Sequence, residues 1–159
     1  MSRFTSPPRG QGGPGAERPD RVGPNTTEEP LEKPPSRAWE WLGLRIVELA
    51  EGSATVEMTA TEDMANHSGF VHGGMISTLA DSAMGRSLRT VKPGVVRAMS
   101  FDLKVNFINA AKIGETLSAT GRVIHAGRRT MVADCRVVGK EGRLIATATG
   151  TFAVTREKE

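Results

Sequence analysis

Along residues 53–61 apolar and polar side chains alternate one by one, with Ala54, Val56, Met58 and Ala60 set against Thr55, Glu57 and Thr59. A period of two belongs to a strand with one buried face. A second strand-like segment at about 44–50 precedes it, and Glu51-Gly52 between them reads as a turn. Residues 39–42, with two tryptophans, read as a short helical or extended lead-in. Asn66, His67, Ser68 and Gly69 then break the pattern as a loop does. From Gly73 to Thr90 the period changes: Met75, Ile76, Leu79, Ala80, Ala83, Met84 and Leu88 recur at helical spacing. Almost nothing polar interrupts the first three turns, so the helix is covered on most sides. Arg86 and Arg89 suit its C-terminal end, and Lys92-Pro93-Gly94 stops it. Strands follow. Met99, Phe101, Leu103, Val105 and Phe107 alternate with Ser100, Asp102, Lys104 and Asn106, and three more segments lie at about 115–126, 129–139 and 143–155.

One long helix against five or six antiparallel strands predicts an α+β fold in which a curved sheet wraps around the helix. Composition trims this domain at one end. Residues 1–37 hold eight of the nine prolines, five glycines and few large apolar side chains. Such a stretch cannot bury enough surface to offset chain ordering. We therefore expect a disordered Pro/Gly-rich tail over 1–37 and one folded domain over 38–155.

Charge and cysteine usage remove several function classes. The formal net charge is only +3, no basic run exceeds Arg128-Arg129, and tyrosine is absent. A nucleic-acid surface is therefore not expected. The single cysteine, Cys135, shares one strand face with Ala133 and Val137, which predicts a structural thiol and no disulfide framework. No apolar run approaches a membrane span, and the N-terminus lacks the apolar core of a secretory signal. The plain expectation is a cytoplasmic protein, with an organelle transit peptide as the minor alternative. His67, His72 and His125 lack ligand-like company, so no metal site is expected.

Candidate chemistry concentrates between Gly69 and Gly85, where His72 and Asp81 are the only side chains that titrate near or below neutral pH. A carboxylate two turns into a buried helix is expensive unless something pairs with it or uses it. His72-Gly73-Gly74 falls where loop becomes helix, and the first N–H groups of a helix lack internal partners and suit a developing oxyanion. Asp81 lies about 12 Å further along the axis at 1.5 Å per residue. If both serve one substrate atom, a second, antiparallel copy of the helix must supply one of them, which predicts a homodimer. Taken singly, each residue also has a structural reading. His72 can brace the loop, Asn66 can turn it, Gly73-Gly74 can allow tight packing, and Asp81 can be a buried structural acid. Ser100 alone is unremarkable.

Their joint order carries more. The run Asn66-x-x-Gly69-x-x-His72-Gly73-Gly74-x-x-x-x-Leu79-Ala80-Asp81 is followed by Ser100 with Phe107, then by Ala110-Ala111-Lys112-x-Gly114-Glu115-Thr116-Leu117. Gly127-Arg128-Arg129-Thr130 and the segment from Gly142-Arg143 to Gly150-Thr151 complete the set. Over about residues 39–155 the chain resembles the hotdog-fold acyl-CoA thioesterases of the PaaI-like type, within the 4-hydroxybenzoyl-CoA thioesterase superfamily. The resemblance implies that Asp81 is the catalytic carboxylate, as general base on water or as nucleophile. It implies that the Gly73 N–H polarises the thioester carbonyl, that His72 shapes that site, and that Asn66 holds the water or the thioester. Ser100 would hydrogen-bond near Asp81 from the partner strand. Asn66, His72 and Gly73 would come from one subunit, Asp81 and Ser100 from the other. Gly74, Arg128, Arg129 and, more weakly, Arg143 would contact the coenzyme A part of the substrate.

No metal or redox cofactor is implied. The implied assembly is a homodimer with shared active sites, paired into a homotetramer. Met75, Met84 and Leu88 are candidate walls of an apolar pocket fitting an aryl group or a medium to long chain. Two rival readings are a hydratase or dehydratase, for which no His-Phe-Pro segment or paired Asp-His spacing is present, and an acyl-CoA binding or sensor module.

Overall fold

The alternation and the helical period both persist in three dimensions. The computed structural model describes residues 32–91 and 94–156. A short helix α1 (Arg37–Leu42) leads into strands β1 (Arg45–Ala50) and β2 (Ser53–Thr59), and the long helix α2 (Gly73–Leu88) follows. Strands β3 (Val95–Phe107), β4 (Thr116–Ala126), β5 (Thr130–Val138) and β6 (Leu144–Arg156) complete the chain. The six strands form one antiparallel sheet in the order β1-β2-β4-β5-β6-β3. The β4, β5 and β6 meander lies at its centre and β3 crosses to the far edge.

Helix α2 packs into the sheet with Ile76, Leu79, Ala80, Ala83, Met84, Ser87 and Leu88 buried. Facing them are Ala54, Val56 and Met58 of β2, Leu117 and Ala119 of β4, and Ala133, Cys135 and Val137 of β5. The helix comes close to the sheet at Gly121, where a Cβ would stand 2.6 Å from the carbonyl of Ala83. Only a residue without a side chain lets the two backbones meet there. Cys135 is buried in this layer, and burial, reinforced by the neighbouring Asp134, pushes its thiol up to about 12.

Three details depart from the pattern. Ser36 caps α1 by accepting from the Trp39 N–H, so regular structure starts inside the expected tail, and Glu32 pairs with Arg86 of α2. Residues 1–31 of that tail, and the Lys92-Pro93 stop signal, lie outside the described residues. Helix α2 itself ends at Leu88. Strand β3 begins at Val95, four residues before its alternation is evident, and it contains a bulge. Ser100 pairs with Phe152 and Asp102 with Thr151, which leaves Phe101 as the extra residue. A bulge switches which alternate side chains face inward. Ala98 accordingly packs on the core before it and Val105 after it. Much of the apolar set of β3 is not core: Met99 and Phe101 are 71% and 63% exposed, and Phe107 is 56% exposed.

Candidate active site

The loop before α2 is built by its own side chains. Asn66 Oδ1 accepts from the N–H groups of Ser68 and Phe70 at 2.9 and 3.2 Å. The Asn66 N–H donates to the Phe70 carbonyl at 2.7 Å. Gly69 closes the turn at φ +78°, a conformation glycine adopts without strain. Two donors on Oδ1 fix the orientation of the amide, so Nδ2 points away from the loop with no partner among the described residues. Asn66 is thus a turn residue that also presents a free donor.

His72 caps α2. Its Nδ1 accepts from the Gly74 N–H at 2.9 Å, which places the ring proton on Nε2 in the neutral form. The Met75 N–H donates to the His72 carbonyl. These bonds consume the two donors that follow Gly73 in the first turn. The Gly73 N–H is left without a partner among the described residues, at the positive end of the helix dipole. The bracing reading of His72 is what the structure shows, and the cap leaves the Gly73 N–H as the free donor of the first turn. The Phe107 ring covers this position, with its nearest atom 3.0 Å from where a Gly73 Cβ would stand.

Asp81 is half-buried two turns further along. Its Oδ1 is fully enclosed and has no hydrogen-bond partner among the described residues. Burial raises the carboxyl above the ordinary carboxylate range, and the Ser100 hydroxyl, hydrogen-bonding from β3, acts in the opposite direction. The bulge at Phe101 is what allows Ser100 to face the helix while Val105 and Phe107, of the other phase, do so further along. An enclosed carboxylate oxygen without a partner, on a carboxyl whose pKa burial raises, marks Asp81 as a candidate functional group.

The remaining candidates fall in two places. Arg128 and Arg129 are exposed on the β4–β5 turn, with no side-chain partner among the described residues. Arg143 lies at the other end of β5, and its guanidinium is engaged. It donates to both carboxylate oxygens of Glu115 at 3.0 Å and to the Ala110 carbonyl at 2.7 Å. The Gly74 N–H is likewise committed, to His72. Met84 and Leu88, expected as pocket walls, are fully buried core residues instead, because that helix face lies against the sheet; Met75 is half-buried. Among the described residues no group of three or more His, Cys, Asp and Glu comes together as a metal site, and no helix is long and apolar enough to cross a membrane. Sequence reading missed the Phe107–Gly73 contact and the Glu115–Arg143 pair. The apolar phase of β3 hinted at the first, and residues 28 apart give no local signal for the second.

A curved antiparallel sheet around one helix, with an acid inside that helix and a free N–H at its start, is the hotdog architecture of thioester hydrolases. The chain belongs to the thioesterase superfamily, whose model matches residues 68–146. It is similar to the acyl-coenzyme A thioesterase PaaI of Escherichia coli K12, 32% identical over 109 residues, 69% of this chain and 76% of that one. The solved structure of the E. coli PaaI protein from the phenylacetic acid degradation operon superposes with a TM-score of 0.71 at 29% identity, over 76% of this chain and 86% of that one. A Streptococcus mutans protein solved bound to acetyl CoA matches with a TM-score of 0.67 at 30% identity, over 73% and 91% of the two chains. The protein is accordingly a thioester hydrolase, and acyl-CoA thioesterase activity is its family-level function.

Proposed function

We propose that the chain hydrolyses acyl-CoA thioesters in a site shared by two copies. One observation carries this reading: the free Gly73 N–H and the enclosed Asp81 Oδ1 sit on one helix, eight residues or about 12 Å apart. They cannot meet at one carbonyl within a chain. Strand β3 supplies the means of pairing, a 13-residue sheet edge with exposed apolar side chains. Joined edge to edge there, two copies set the Asn66-His72-Gly73 end of one helix toward Asp81 and Ser100 of the other.

In that site the thioester oxygen accepts from the Gly73 N–H, which stabilises the tetrahedral oxyanion. The Asn66 amide donates to the water or the thioester. Asp81 removes the proton of the attacking water, or attacks itself and forms an anhydride that water then opens. Either way the C–S bond breaks, the acid is released, and the coenzyme A thiolate leaves and is protonated. No metal or redox cofactor takes part. Arg128, and after it Arg129, fit the phosphates of coenzyme A because a free guanidinium matches phosphate geometry. The acyl group is an aryl or a medium to long chain. Exposed Met99 and Ile124 support further pairing into a dimer of dimers. We place the activity in the cytoplasm.

The test is a panel of acyl-CoA esters followed by released thiol, on the wild type and on Asp81→Ala. Turnover of at least one ester is expected, falling at least ~100-fold in the variant. A folded Asp81→Ala protein with full turnover would refute the assignment.

A further inference from the structure

The loop from Asn66 to His72 has no regular secondary structure, yet it carries two groups that must be placed accurately. Beyond its internal bonds it is held from two sides. The His72 N–H donates to the Met64 carbonyl at 2.8 Å, and the Val71 N–H donates to the Ala111 carbonyl at 2.9 Å. Phe70 forms a bridge with Lys112 beside the second bond. The loop is therefore no better placed than residues 110–112, which are themselves outside the sheet.

Those residues are fixed by Glu115 and Arg143. The Glu115 carboxylate accepts from the Lys112 N–H at 3.0 Å, from the Lys140 N–H at 2.9 Å and from Arg143 through both oxygens. These contacts hold its carboxyl below the ordinary carboxylate range against a burial effect in the other direction. Arg143 also grips the Ala110 carbonyl, one residue before the carbonyl that receives Val71. The seat is shaped for the pair: a Cβ on Gly139 would stand 2.1 Å from Glu115 Oε1. Gly139 itself has φ −106°, so glycine is required there for room and not for conformation.

The geometry points to Glu115 and Arg143 as positioning residues for the oxyanion loop, acting through Ala110 and Ala111 on Val71, His72 and Gly73. This rests on the thioesterase reading of that site, and it replaces the expectation that Arg143 binds coenzyme A. Arg143 has Nη2 on both oxygens of Glu115 and Nη1 on the Ala110 carbonyl, so both terminal nitrogens that a phosphate would need are engaged. A lysine has a single nitrogen and cannot hold Glu115 and the Ala110 carbonyl as the two guanidinium nitrogens do, and a glutamine at 115 turns an NH2 group toward backbone donors.

Kinetics with two substrates separates the roles, one an acyl-CoA and one the same acyl group on N-acetylcysteamine, which lacks the nucleotide and its phosphates. For Arg143→Lys and Glu115→Gln the expected result is a kcat lowered by roughly 10- to 100-fold on both substrates with KM little changed, since small displacements of reacting groups cost rate. The double variant should be no slower than the worse single one. A KM increase confined to acyl-CoA in Arg143→Lys, with Glu115→Gln normal, would instead make Arg143 a phosphate ligand and overturn the proposal. Amide hydrogen exchange supplies a readout independent of turnover. Residues 66–74 should exchange faster in Arg143→Lys while 131–137 in β5 stay protected, and unchanged exchange at 66–74 also overturns it. If the wild type hydrolyses neither substrate, the thioesterase reading fails, and the proposal falls with it even where exchange responds.

Discussion

The sheet has two edges, and they are finished differently. Strand β1 is six residues long, is interrupted by an irregularity between Ile46 and Glu48, and ties its polar side chains inward. Arg45 pairs with Glu57 at 3.0 Å, and Glu48 accepts from Thr55 at 3.3 Å. No large apolar side chain of β1 is exposed. Strand β3 is 13 residues long and exposes Val96, Met99, Phe101, Leu103 and Phe107. Short, irregular, charged edges resist pairing with other chains, and long apolar ones invite it. One edge is finished by its own side chains and the other exposes apolar ones, and that second edge is where Ser100 approaches Asp81 and Phe107 covers Gly73.

The sharpest way to break the contrast is a charge on each edge. Phe101→Lys is expected to halve the mass seen by light scattering and to lower turnover about 100-fold or more, because it removes groups that act in common. Ala50→Lys, at the exposed end of β1, should leave mass and turnover unchanged. Equal mass for both variants would end the distinction. A second substitution probes the closed part of the molecule. Gly121→Ala sets its Cβ against the Ala83 carbonyl, so about 3 kcal/mol of stability should be lost, read from the urea midpoint. The smallest effect lies between the two regions. Burial holds the Asp81 carboxyl high and Ser100 brings it down, so Ser100→Ala should raise it further. In the proposed reaction the ionised form is the reactive one. The acid limb of kcat/KM against pH should therefore move to higher pH, with a loss of roughly several-fold near neutrality that is recovered as pH rises. An unmoved limb would mean that Ser100 does not face the reactive carboxylate.

Much of this was legible in the sequence, for local reasons. Helix α2 was found because Ile76, Leu79, Ala80, Ala83 and Met84 are buried at the period of a helix. Strands β2 and β5 were found because Val56, Met58, Cys135 and Val137 are buried at a period of two. Asp81 stood out because burying it costs free energy, and the structure encloses its Oδ1. What was hidden depends on contacts without a local period. The alternation of β3 continues through Phe101, so no residue type announces the bulge that brings Ser100 to Asp81. Met84 and Leu88 look like pocket walls in the sequence because periodicity shows that a helix face is covered but not by what. Asn66 and His72 were placed in the site by the order of residues in the motif. Their actual bonds, one holding the turn and one capping Gly74, depend on loop dihedrals that spacing does not encode.

Cys135 has a practical side. The proposed reaction liberates a thiol, and the chain's single cysteine is buried and kept in its protonated form, with a pKa of about 12. Exchange with a disulfide requires an accessible thiolate. The released coenzyme A, and any disulfide it forms, therefore meets no reactive sulfur on the folded protein. A colorimetric thiol reagent added during turnover will count product alone, and one extra equivalent of colour per chain will signal that the molecule has come apart.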